Sequence, residues 1–154
     1  MIRLAAATLA ASLGLGACRT ADRDLPAVYR DLDVPGKRLA SPDVQRQGRA
    51  IFHERCIACH GELGDGRGVR AAQLTPPPPD LTDARWRALL DERHIYYAIA
   101  EGGHGTPMPP WKAALSPGEI WSVVAYVRSL AGQQPAAAAP AGAAPQGTQP
   151  PDRR

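Results

Sequence analysis

At 154 residues, with 18 Lys and Arg against 15 Asp and Glu and a net charge of +3, the chain has room for one domain. Its arginines are scattered among acids with no sustained basic stripe, so they read as a solvated surface and not as a nucleic-acid footprint. Both ends differ in composition from globular protein, which makes the folded part shorter than the chain.

The chain opens Met-Ile-Arg and continues LAAATLAASLGLGA, a basic start, an apolar run and small residues. That is the layout of a secretory signal over residues 1–17, and the run is too short and alanine-rich for a membrane span. It ends Leu15-Gly16-Ala17-Cys18, which resembles a bacterial lipoprotein box and implies cleavage before Cys18 with lipid on its thiol. An ordinary signal with a chance cysteine, or an uncleaved anchor, are the alternatives. Arg19 stands where an Asp would resemble an inner-membrane retention signal, which points towards the outer membrane. Residues 18–40 then read as a lipidated N-terminus and tether, polar and interrupted by Pro26, Pro35 and Gly36. The competing reading is an arm packed on the domain through Leu25, Val28, Tyr29 and Leu32, with a short helix from Pro26. Both stand at this point.

The first long helix is expected from Ser41-Pro42-Asp43, an N-cap followed by proline at the first helical position. Val44, Gly48, Ile51 and Phe52 fall on one face. A mid-helix glycine costs about 1 kcal/mol relative to alanine, so Gly48 calls for a packing reason. His53 reads as an exposed helix residue. The helix runs into Cys56-Ile57-Ala58-Cys59-His60, around which the rest of the chain is organised. A C-x-x-C-H run is a covalent haem c attachment site. Two thiols one helical turn apart can each add to a haem vinyl group, and the histidine that follows can reach the iron as proximal ligand. A thioredoxin-like pair would want alternating strands and helices, and zinc would want a second cysteine or histidine pair; neither pattern is present. Three cysteines are an odd count, and Cys18 as lipid carrier with Cys56 and Cys59 as haem carriers uses all of them.

Gly61 to Gly68 holds four glycines in eight residues, without the Gly-Lys-Ser/Thr of a phosphate loop or enough carboxylates for calcium. Pro76 to Pro79 form a polyproline run by composition. A short helix over 83–90, containing Trp86, and a second over 91–101 are expected, the latter with Asp91 and Glu92 at its start, Ile95 and Ile99 on one face and Gly102 as its stop. Next comes Gly102-Gly103-His104-Gly105-Thr106-Pro107-Met108-Pro109-Pro110-Trp111. The chain has two methionines, and Met1 belongs to the leader, so a thioether ligand to iron can only be Met108. It lies in a loop stiffened by prolines and not on an apolar helix face, which argues against a core gap-filler. His104 is the main rival as second axial ligand, with His94 behind it. Trp111 suits either a hydrogen bond to a haem propionate or plain packing. Ser116-Pro117-Gly118-Glu119 is a capping box for the last helix, whose apolar stripe is Ile120, Val123, Val124 and Val127, flanked by Trp121 and Tyr126. Residues 132–154 have the composition of a disordered tail.

Taken together, CIACH, the following GELGDGRG and the GTPMPPW run resemble class I c-type cytochromes, over the whole of residues 41–131. That resemblance implies a small all-α fold of three main helices and long loops wrapped around one covalent haem c. It implies that Gly48 and Phe52 let the first helix cross the last one closely, with Tyr126 as the packing partner. It implies glycines near the porphyrin edge, a carbonyl of the proline region accepting the Nδ1–H of His60, and Met108 as sixth ligand. Covalent haem attachment in such bacterial families is completed outside the cytoplasm, which agrees with export to the periplasmic side. The implied role is one-electron transfer and not catalysis, with a redox protein or a membrane respiratory or dehydrogenase complex as partner. A labile sixth ligand would instead indicate a gas sensor or redox enzyme.

Overall fold

The computed structural model describes residues 25–130. The signal sequence expected over 1–17, Cys18 and the tail expected over 132–154 lie outside the described residues. Seven α-helices and one 3-10 turn occur among them, with no strand: α1 (Ala27–Arg30), α2 (Gly36–Leu39), α3 (Pro42–Arg55), α4 (Ile57–His60), the turn Ala71–Gln73, α5 (Ala84–Leu89), α6 (Glu92–Glu101) and α7 (Pro117–Leu130). None of these helices is long and apolar enough to cross a membrane.

The fold is built on the crossing of α3 and α7, the most extensive helix pairing among the described residues. Gly48 makes it possible. A Cβ built there would stand 2.5 Å from the carbonyl carbon of Ser122 and 3.0 Å from Cβ of Tyr126. One turn on, Phe52 is 1% exposed and meets the Tyr126 ring edge-on at 5.2 Å. The crossing is therefore backbone against backbone, with aromatic rings closing the gap beside it. The expected Ser41 cap is only partly realised. Its carbonyl accepts the Gln45 N–H at 3.0 Å, but its hydroxyl makes no capping bond, and Pro42 sets the start of the helix instead.

At α7 the capping box is complete: the Glu119 carboxylate accepts from the Ser116 N–H at 2.8 Å and from its hydroxyl at 2.7 Å, while the Glu119 N–H reaches Ser116 Oγ at 3.3 Å. The helix is covered on more sides than an apolar stripe implies. Trp121 and Ser122 are buried with Ile120, Val123, Val124 and Val127, because α6 and α2 pack on it as well as α3. Trp121 stacks at 4.6 Å on Tyr96 of α6. Asp91 and Asp83 cap α6 and α5, accepting the N–H groups of His94 and Arg85 at 3.0 and 2.8 Å.

The segment before α3 packs on the domain from Leu25 onward. Leu25 is buried, the Tyr29 ring lies edge-on to Tyr97 at 4.8 Å, and the Arg93 guanidinium donates to the Leu32 carbonyl at 2.9 Å. Val28, by contrast, faces solvent. Of the two readings of this stretch, the packed arm describes residues 25–40.

Candidate haem site

Helix α3 ends at Arg55, and Cys56 turns the chain directly into α4, its N–H still bonded to the Phe52 carbonyl at 2.8 Å. The Cys56 carbonyl then accepts the N–H groups of Cys59 and His60 at 3.1 and 2.9 Å. This tight turn brings Cys56, Cys59 and His60 to one wall of a cleft whose surface is almost wholly carbon. Both thiols are free. Burial, helped by the neighbouring Cys59 and opposed by Arg55, pushes the Cys56 thiol up to about 11, so it is protonated at neutral pH.

Burial lowers the pKa of His60, keeping its imidazole neutral with a lone pair available. Its Nδ1 is buried and has no hydrogen-bond partner. The expected proline-region carbonyl is not bonded to it. Pro76 to Pro79 line the same cleft, but the carbonyl of Pro78 is pressed on Gly66, where a Cβ would come within 2.6 Å of it. The glycine loop thus differs from expectation too: Gly66, at φ +75°, lets the loop close against the proline run instead of lining the cleft.

Met108 reaches the cleft from the loop between α6 and α7. Its carbonyl accepts the Gly103 N–H at 3.2 Å, its own N–H donates to Thr106 Oγ1 at 3.2 Å, and Gly102 closes beneath it. His104 sits in the same loop but is exposed and does not line the cleft. His94 lies at the opposite end of α6, with Nδ1 2.7 Å from the Asp91 carboxylate. Trp111 lines the cleft beside Met108. Trp86, Leu90, Ala98 and Val123 complete the wall and were not singled out as site residues by the sequence, because their apolar character serves equally for core packing.

The chemistry of the cleft fits a haem: a neutral, partly buried imidazole with an unsatisfied buried nitrogen, two free thiols and a thioether in the same apolar cleft are the donors a His/Met haem c would need. Among the described residues no group of three or more His, Cys, Asp or Glu is arranged to hold a metal ion, so nothing among them supports the zinc reading of Cys56 and Cys59.

Residues 43–127, which run from the first turn of α3 into α7, match the family model "Cytochrome C oxidase, cbb3-type, subunit III". The chain belongs to this family. Its folded unit is a class I c-type cytochrome domain with the small all-α fold, and the family implies haem c as its cofactor. The chain is 38% identical over 86 residues to the Cbb3-type cytochrome c oxidase subunit FixP of Bradyrhizobium diazoefficiens, a stretch covering 56% of this chain and 27% of that protein. The same figures hold for subunit CcoP of Cereibacter sphaeroides. The chain thus aligns with about a quarter of the length of these curated relatives. A chain of the reducing HAO-like protein complex Kustc0457/Kustc0458 of Kuenenia stuttgartiensis superposes with a TM-score of 0.54 at 29% identity, over 59% of this chain and 45% of that one.

Proposed function

We propose that this cbb3-type subunit III cytochrome is a membrane-tethered one-electron carrier with a single His/Met-ligated haem c. The observation that carries the reading is one apolar cleft lined by Cys56, Cys59, His60 and Met108. Cys56 and Cys59 would form the two thioether links, His60 the proximal bond to iron and Met108 the distal one. Haem c bound there supplies an Fe(III)/Fe(II) couple, which a soft thioether ligand shifts towards the ferrous state and a higher potential.

The chain's own residues supply the rest. Burial holds His60 neutral, as a ligand must be. The pinned loop from Gly102 to Trp111 presents the sulfur of Met108 without requiring a helix face. Apolar walls from Ile95, Ile99 and Val127 line the cleft and would shield a group bound there from water, which would favour weak ligand bonds and limit reorganisation. With His60 and Met108 both holding the iron, substrate would find no open coordination site, which favours electron transfer over catalysis by this chain.

The relatives are named as subunits of a cbb3-type cytochrome c oxidase, which supports a membrane respiratory complex or a redox protein as the partner class. Export of residues 18–154 and lipid on Cys18 would keep the domain on the periplasmic side of a membrane, the arm from Leu25 leading back to the anchor. The folded unit would include residues 25–130. The test is an absorption spectrum of the ferric holoprotein beside Met108→Ala. A weak far-red sulfur-to-iron band in wild type that vanishes in Met108→Ala supports His60/Met108 ligation. Its absence from wild type would overturn Met108 ligation and turn the assignment to His104, while ready binding of carbon monoxide by the reduced protein would overturn the carrier reading in favour of ligand chemistry.

A further inference from the structure

The Met108 loop is closed at its neck by a set of bonds that ligation by itself does not require. Glu101 ends α6 immediately before the loop, and Lys112 follows it. Lys112 Nζ donates to the two Glu101 carboxylate oxygens at 2.9 and 2.7 Å. Beside this pair, the N–H groups of Trp111 and Lys112 donate to the carbonyls of Ile99 and Ala100 at 3.0 and 3.2 Å. The loop therefore leaves and returns at one point, with the ion pair as its outer clasp.

A third group converges there from far away in sequence. The Tyr29 hydroxyl, on the arm before α3, donates to Glu101 Oε1. The Tyr29 ring is held by Tyr97 at 4.8 Å and Tyr96 at 6.2 Å, both on α6. An exposed ion pair by itself contributes little, because two long side chains must be ordered in water to make it. Here a ring fixed by its neighbours holds the carboxylate, so much of that ordering is already done when Lys112 arrives.

We infer that Glu101 is a positioning residue, the latch through which Tyr29 of the arm and Lys112 of the loop's far end hold the Met108 loop closed over the cleft. The inference rests on the reading of Met108 as axial ligand. Its consequence is that the latch sets how readily Met108 yields its place to another ligand, since displacement of the sulfur requires the loop to open. The charge state of the triad agrees: Lys112 and Tyr29 hold the Glu101 carboxyl below its ordinary range, and burial followed by the Glu101 bond pushes the Tyr29 hydroxyl up to about 12. Both groups are thus in their bonding forms across the neutral range.

The experiment uses ferric full-length holoprotein titrated with imidazole, with loss of the far-red band as the readout, in wild type, Glu101→Gln, Tyr29→Phe, Lys112→Gln and Lys112→Arg. Urea unfolding of the same proteins is followed by far-ultraviolet circular dichroism. Imidazole should bind roughly three- to tenfold more tightly to Glu101→Gln, because the open-loop population limits apparent affinity. Smaller gains are expected for Tyr29→Phe and Lys112→Gln, and none for Lys112→Arg, with helix unfolding close to wild type throughout. Unchanged imidazole affinity in Glu101→Gln, in a protein whose wild type has the band, refutes the latch and leaves Met108 ligation intact. A gain in affinity matched by an equal loss of global stability also refutes it, since Glu101 would then act on the fold and not on the loop. A wild type without the band refutes Met108 ligation, and the latch falls with it.

Discussion

Replacing Gly48 by alanine sets two physical effects of opposite sign against each other. Intrinsic helix propensity favours alanine over glycine by about 1 kcal/mol, so on propensity alone the variant should be more stable than wild type. The α3–α7 crossing opposes it. The new methyl would sit 2.5 Å from the Ser122 carbonyl carbon, closer still to its oxygen, and 3.0 Å from Cβ of Tyr126. Ordinary carbon–carbon contact is about 3.5–4.0 Å, so the helices must separate by about 1 Å. The obstructing atoms are mainly backbone within α7, which cannot turn aside as a side-chain tip would. Such overpacking costs about 1–3 kcal/mol, and a rigid backbone contact belongs at the upper end. Separation also threatens the Ser122 hydroxyl bond to Gln47 Oε1 at 3.0 Å, where Ser122 is wholly buried. Losing a bond of this kind costs about 1 kcal/mol. The net expectation is a destabilisation of about 3 kcal/mol, measured by urea unfolding of the holoprotein followed by circular dichroism. Ala50→Gly, on the exposed face of α3, is the control and should cost only the propensity difference of about 1 kcal/mol. A Gly48→Ala protein as stable as wild type, or more so, would refute the crossing geometry.

Three further outcomes follow from the same structure. Phe52→Ala removes a ring that is 1% exposed and lies 6.2 Å from the His60 ring, and it should cost about 3–5 kcal/mol in urea unfolding; a loss under about 1 kcal/mol would contradict its burial. Tyr29 binds its proton more tightly in the folded state, with a pKa raised from 10 to about 12, so its contribution is present below pH 10 and is lost as pH rises towards 12. The fall in urea midpoint over that window should be shallower in Tyr29→Phe, and parallel curves would count against the shift. For the anchor, cells fed labelled palmitate should incorporate it into wild type but not into Cys18→Ser, which should leave the membrane fraction; equal labelling of both would remove the lipoprotein reading.

Much of the secondary structure is legible in the sequence, because its signals are local. Ser116 and Glu119 cap α7 within four residues of chain, and Asp91 with Gly102 brackets α6. Cys56, Cys59 and His60 share one wall because a helical turn brings i and i+3 neighbours together, which spacing alone dictates. Gly48 was conspicuous for a similar reason: a costly residue inside a helix must be repaid by close packing. Where sequence reasoning went astray, the interaction was between groups distant in the chain. Nothing local predicts that the Pro78 carbonyl lies against Gly66 and leaves His60 Nδ1 unpartnered, or that α7 is covered on several sides.

By itself, then, the sequence determined the approximate extents of α3, α5, α6 and α7, the C-x-x-C-H motif and the family resemblance, all carried by short-range spacing and residue chemistry, while α2 and the turn Ala71–Gln73 carried no such signal. The tertiary structure decided which candidates meet. Met108 lines the cleft with His60, while His104, four residues away in the same loop, is exposed, a distinction made by how the loop is tied at Gly103, Thr106 and its neck. It also decided that residues 25–40 belong to the folded unit and that Tyr29 reaches Glu101 across 72 positions of chain. Such meetings depend on the packing of α1 against α6, and packing is a property of surfaces assembled from separate segments, which no single stretch of sequence contains.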